Sequence, residues 1–78
     1  MKVKVKVIGA LRQSVRRPQT QWDLPGGSTI EQLMNLLEFP EKIRKGPIMM
    51  LVNAKFAEGN ALLKDGDELT LLWPVGGG

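Results

Sequence analysis

The chain has 78 residues, 42% of them apolar and 24% charged, with a formal net charge of +3. That length holds one domain with a modest core, because a chain this short buries only about 60% of its unfolded surface. It contains no cysteine and no histidine, which excludes disulfide staples, thiol chemistry and the imidazole that most often serves as base or metal ligand near neutral pH.

Residues 2–8, KVKVKVI, alternate strictly, the period of a half-buried strand. Val3, Val5 and Val7 face one way, while Lys2, Lys4 and Lys6 face the other. The segment has no unbroken apolar run, so it predicts neither a signal peptide nor a membrane span, and a soluble cytoplasmic protein is expected. The stretch GALRQSVRRPQ reads as a loop with room for a helical turn. It gathers Arg12, Arg16 and Arg17, but nucleic-acid binders usually interleave aromatics with such charges, and the nearest aromatic is Trp22. A solvated loop is therefore the expectation, with an RNA contact as its alternative.

A second strand is predicted over TQWDL, residues 20–24, with Trp22 and Leu24 inward. The helix follows over STIEQLMNLL, where Thr29 with Gln32, or Ser28 with Glu31, can form a capping box. Ile30, Leu33, Met34 and Leu37 make one apolar stripe, and Pro40 is expected to stop the helix. The connection EFPEKIRKGP has a short turn around residues 41–45. IMMLVN reads as a third strand, a brief fourth lies around Phe56, and Asp65-Gly66 marks a turn. The last strand, ELTLLW, sends Leu69, Leu71 and Trp73 inward and Glu68, Thr70 and Leu72 outward, and Pro74 suits its end.

One helix covers one face of such a sheet and leaves the other open. The element order predicts an α+β chain of the β-grasp class: a mixed sheet of four to five strands with the first and last strands parallel at its centre. The lysine row then shares the open face with Glu68, Thr70 and Leu72, as cross-strand partners. The domain is expected over residues 1–75, followed by a flexible glycine tail over 76–78. Taken alone, WPVGGG reads either as a frayed or linker-like end, or as a side-chain-free handle that another protein's active site can admit.

The ending LKDGDELTLLWPVGGG resembles the C-terminal signature of the MoaD/ThiS sulfur carriers, in which a D-G-D-E turn leads through a strand to Pro-Val-x-Gly-Gly. LVNAKF resembles that family's third strand and turn, and the alternating start leading into GALRQSV resembles its beginning. Two features depart from the pattern. The helix-to-third-strand connection is shorter than molybdopterin-synthase small subunits often have, and Val7, Ile8 and Gly9 stand where the family carries an aromatic.

The resemblance implies a ubiquitin-like carrier that is a substrate and not an enzyme. A ubiquitin-activating-type enzyme would use ATP to adenylate Gly78, and sulfur delivery would then make a C-terminal thiocarboxylate. A synthase of the molybdopterin or thiamine (thiazole) type would consume it. Pro74, Val75, Gly76 and Gly77 would thread the partner's active site, since four extended residues from Val75 reach roughly 13–14 Å. A terminal α-carboxyl has a pKa of about 3.3–3.7 and is an anion at neutral pH, ready to attack a phosphoanhydride. No bound cofactor, metal or membrane is expected. Met49 and Leu51 are expected to point outward, with Met50 and Val52 inward, so that Met49, Leu51 and Leu72 form a partner interface near the tail. Two alternatives remain: a ubiquitin-like modifier joined through Gly78 to protein lysines, and a non-covalent β-grasp binding module.

Overall fold

The computed structural model describes residues 1–14 and 20–74. The valine–lysine alternation becomes β1, Lys2–Ile8, with Val3 and Val5 buried, Val7 half-buried and the three lysines exposed. A 3₁₀ helix over Gly9–Ser14 follows and sinks Leu11 into the core. β2, Gln21–Asp23, pairs antiparallel with β1, setting Trp22 opposite Val3. This strand is shorter than the five residues expected. Leu24 leaves the ladder but stays buried, its amide donating to the Met1 carbonyl at 2.8 Å.

Helix α1, Ile30–Leu37, starts at Thr29, whose hydroxyl accepts from the Gln32 amide while Gln32 Oε1 accepts from the Thr29 amide. The competing pair is not used, because Ser28 is buried and its hydroxyl donates to the Pro25 carbonyl. Ile30, Leu33, Met34 and Leu37 are all buried, as their spacing predicts. The helix ends before Pro40. Glu38 closes it in a left-handed conformation at φ 56°, and Phe39, which precedes the proline, is biased out of the helical region. Pro40 instead opens the short helix α2, Glu41–Arg44.

β3, Met49–Val52, and β4, Lys55–Ala57, form a hairpin. Its turn, Asn53-Ala54, has φ of 51° and 69°, the doubly left-handed geometry that matches strand twist. β5, Glu68–Leu72, lies between β1 and β3, parallel to the first and antiparallel to the second. The sheet order is β2-β1-β5-β3-β4. The Asp65-Gly66-Asp67 turn is built into this arrangement: Asp65 Oδ1 accepts the Lys2 amide at 2.7 Å, and Gly66 adopts φ 86°. Asp67 is nearly buried, and its carboxylate accepts from Asn53 Nδ2 and the Lys64 amide. The two turns are therefore clasped together under the end of the sheet.

The core lies between α1 and the inner sheet face, around Val3, Leu11, Ile30, Leu33, Leu37, Leu69 and Leu71. Leu69 is fully buried, so Leu69→Ala should lower stability by about 2–5 kcal/mol in chemical denaturation, through lost transfer energy and the cavity left behind. An unchanged denaturation midpoint would contradict that packing. Ala54 carries a Cβ in the left-handed region, so Ala54→Gly should raise stability by about 0.5–1 kcal/mol, net of glycine's extra unfolded-state entropy. A loss of stability in that variant would contradict the turn geometry.

Candidate functional site

Alternation along β5 divides its residues between two tasks. Leu69 and Leu71 are fully buried under the helix, so Glu68, Thr70 and Leu72 stand on the open face. The pairing registers extend that face sideways. Leu72 is flanked by Ile8 on β1 and Met49 on β3. Thr70 is flanked by Lys6 and by Leu51, and Leu51 in turn by Phe56 on β4. Lys4 lies opposite both Glu68 and Gln21, which makes the far end of the face polar. A shallow groove of about 310 Å³ runs there between Lys4, Lys6, Thr20, Gln21 and Glu68.

The result is an apolar band across the end of the open face where β5 finishes. Met50 and Val52 pack against the core, whereas Met49 and Leu51 pair with the open-face positions of β5. Met49, Leu51 and Leu72 are each half-buried. The most exposed members are Phe56, at 74%, and Ile8, at 43%. Sequence reasoning omitted both. Ile8 continues the lysine side of β1 at period two, so the alternation itself carried the signal. Phe56 required the hairpin register, which depends on where two left-handed residues fall.

The tail root is held from the other side of the sheet. Trp73 follows β5, is half-buried, and packs against the core. Its ring lies on Gly46, in the connection between α2 and β3. A Cβ at Gly46 would overlap the indole, falling 2.9 Å from Cζ3 and closer still to Cη2. Pro74 is half-buried beside it. Val75, Gly76, Gly77 and Gly78 lie outside the described residues, as do Arg16 and Arg17, while Arg12 is exposed on the 3₁₀ helix. The structure thus brings together Leu72, Met49, Leu51 and Pro74 at one end of the sheet.

Among the described residues, no group of three or more carboxylates is placed to hold a metal ion. No helix among them is long and apolar enough to cross a membrane. With no histidine or cysteine in the chain, the apolar band carries no nucleophile or base of those kinds. It offers shape and apolar area near Pro74.

Comparison with known proteins agrees with this geometry. The family model described as the ThiS family matches residues 5–78. No curated protein matches the sequence. Among solved structures, a protein described as molybdopterin converting factor, subunit 1, from Pyrococcus furiosus superposes with a TM-score of 0.76 at 26% identity, covering 95% of this chain and 98% of that one. Subunit 1 in the complex of molybdopterin-converting factor subunits 1 and 2 from Helicobacter pylori gives 0.64 at 27% identity, over 100% of both chains. SAMP1 from Haloferax volcanii gives 0.73 at 20% identity over 100% of both, a likeness of fold. The fold is the β-grasp of ubiquitin-like proteins, and the chain belongs to the ThiS family of small ubiquitin-like sulfur carriers.

Proposed function

We propose that the protein carries sulfur on its C-terminal carboxyl group. In the first step a Gly78 carboxylate oxygen attacks the α-phosphorus of ATP in a ubiquitin-activating-type enzyme, and pyrophosphate leaves. Hydrosulfide-level sulfur then attacks the acyl carbon, the bond to AMP breaks, and AMP and a proton leave a thiocarboxylate behind. A synthase of the molybdopterin or thiazole type takes the sulfur onto its acceptor, and water supplies the oxygen that restores the carboxylate. The chain supplies the reacting end and the docking surface, and its partners supply the catalysis and consume the ATP.

The observation that carries this reading is the convergence of the apolar band and the tail root at the end of β5. An exposed apolar face of that kind suits a protein interface. Its position beside Pro74 suits a partner that grips the face while admitting the slender end. The family match supports the carrier role, and the Helicobacter pylori complex supports a synthase as one partner. A modifier that forms isopeptide bonds through Gly78 would share the adenylation step and differ only in the final acceptor.

The test separates the end from the face. Deleting Gly78 should abolish AMP transfer from ATP by the organism's own activating enzyme, with the melting temperature unchanged. Leu72→Lys should leave Gly78 reactive but weaken the complex by about tenfold or more in calorimetry, as expected of an apolar contact near an interface centre. AMP transfer to the Gly78-deleted protein would move the reactive group elsewhere. Unchanged affinity in Leu72→Lys would move the docking face.

A further inference from the structure

The three lysines of β1 do not stand in equal surroundings. Lys2 lies opposite Asp23 and Lys4 opposite Glu68, so each has a carboxylate as its direct cross-strand neighbour. Lys6 lies opposite Thr70, and the pairing of β1 with β2 has already ended at Lys4 and Gln21. Glu68 is only the diagonal neighbour of Lys6, and such neighbours on a sheet face stand about 7–8 Å apart. None of the three lysines makes a side-chain ion pair among the described residues.

Two ordinary uses of a strand lysine do not fit Lys6. Lysines on an edge strand deter pairing with other chains, but β1 is flanked by both β2 and β5. Cross-strand charge pairing needs an acidic partner, which Thr70 is not. What distinguishes Lys6 is its place. Ile8 follows it on the same face of β1, and Leu51 lies beyond Thr70, so Lys6 borders the apolar band. On its other side is the groove of about 310 Å³ that it lines with Lys4, Thr20, Gln21 and Glu68. A partner that covers Ile8 and Leu72 therefore reaches the Lys6 ammonium and strips water from it. Apolar or basic surface at that point would cost binding energy, whereas a carboxylate would recover it.

We propose that the open face takes a protein surface that is apolar at its centre and acidic on its β1 side, with a carboxylate of that partner seated in the groove between Lys6 and Lys4. The inference rests on the reading of the open face as the docking face for the activating enzyme. The apolar band supplies area, and the lysines decide which way round the partner sits, since the reverse placement leaves them unpaired.

The experiment measures binding of the full chain to the organism's activating enzyme, by calorimetry and stopped-flow mixing, for wild type, Lys6→Glu, Lys6→Gln, Leu72→Lys and Lys42→Glu. Lys42 is exposed on α2, which Arg44 ties to α1 on the helix side, and its reversal changes the net charge as much as Lys6→Glu does. At about 0.1 M salt Lys6→Glu should weaken the complex by about tenfold or more, chiefly through slower association. Lys6→Gln should lose less, and Lys42→Glu should stay within about twofold of wild type. The gap between wild type and Lys6→Glu should narrow at about 1 M salt, where the screening length falls to about 3 Å. Both Lys6 variants should melt as wild type does, since the side chain is exposed. Should Lys6→Glu prove unstable beside Glu68, Lys6→Gln carries the comparison.

Equal losses in Lys6→Glu and Lys42→Glu would mean attraction by net charge alone and would overturn the proposal. So would tighter binding of Lys6→Glu. Wild-type affinity in both Lys6 variants, with Leu72→Lys weakened, would overturn it while leaving the docking face in place. Wild-type affinity in Leu72→Lys as well would remove the docking face, and this proposal with it. Retention of a single-stranded oligouridylate that is lost in Lys6→Glu, with enzyme affinity unchanged, would assign the lysines to RNA and overturn the proposal.

Discussion

The parallel pairing of β1 with β5 is the constraint on which the rest depends. It joins the two ends of the chain at the centre of the sheet, from Lys4 beside Glu68 to Ile8 beside Leu72. Parallel neighbours cannot be joined by a tight turn, so everything between them becomes one long crossover. That crossover contributes α1 to one face of the sheet and the flanking strands β2, β3 and β4, leaving the second face uncovered by any helix among the described residues. The open face, and the place of the tail root at its end, both follow from this single pairing.

Because β5 is paired on both sides at the centre of the sheet, its two faces have opposite requirements. Inward, Leu69 and Leu71 meet the α1 stripe with no exposed area left. Outward, Leu72 is flanked by Ile8 and Met49 and remains half-buried. A polar residue there would cost the isolated domain little. The docking face proposed above gives the leucine a use that the isolated domain does not.

Much of this was legible from residue patterns. The strict alternation of residues 2–8, the apolar stripe of α1 and the alternation of β5 each depend on local periodicity, and each element appears where its period places it. What escaped depended on contacts distant in sequence. Two capping pairs overlapped by one residue, and the choice of Thr29 came from Ser28 being occupied with Pro25. Pro40 marked a break, but a left-handed Glu38 had already ended the helix, and the proline served the next one. Phe56 joined the apolar band only once the Asn53-Ala54 turn had fixed its register against Leu51. Gly46 gave no signal at all, since its need to lack a side chain comes from an indole 27 positions further along. The third-strand positions beside Leu72 were thus legible, while the glycine tail lies outside the described residues. The site's lateral extent and its anchor were not, because both are products of tertiary register.

The most direct measurement is the intact mass of the protein isolated from its own cells, with the C-terminal peptide sequenced by fragmentation. A carrier should show a fraction heavier by the exchange of one oxygen for one sulfur, with the change located at Gly78. A Gly78 carboxylate left entirely unmodified under conditions of active cofactor synthesis, or Gly78 found only in isopeptide linkage to other proteins, would contradict the carrier role.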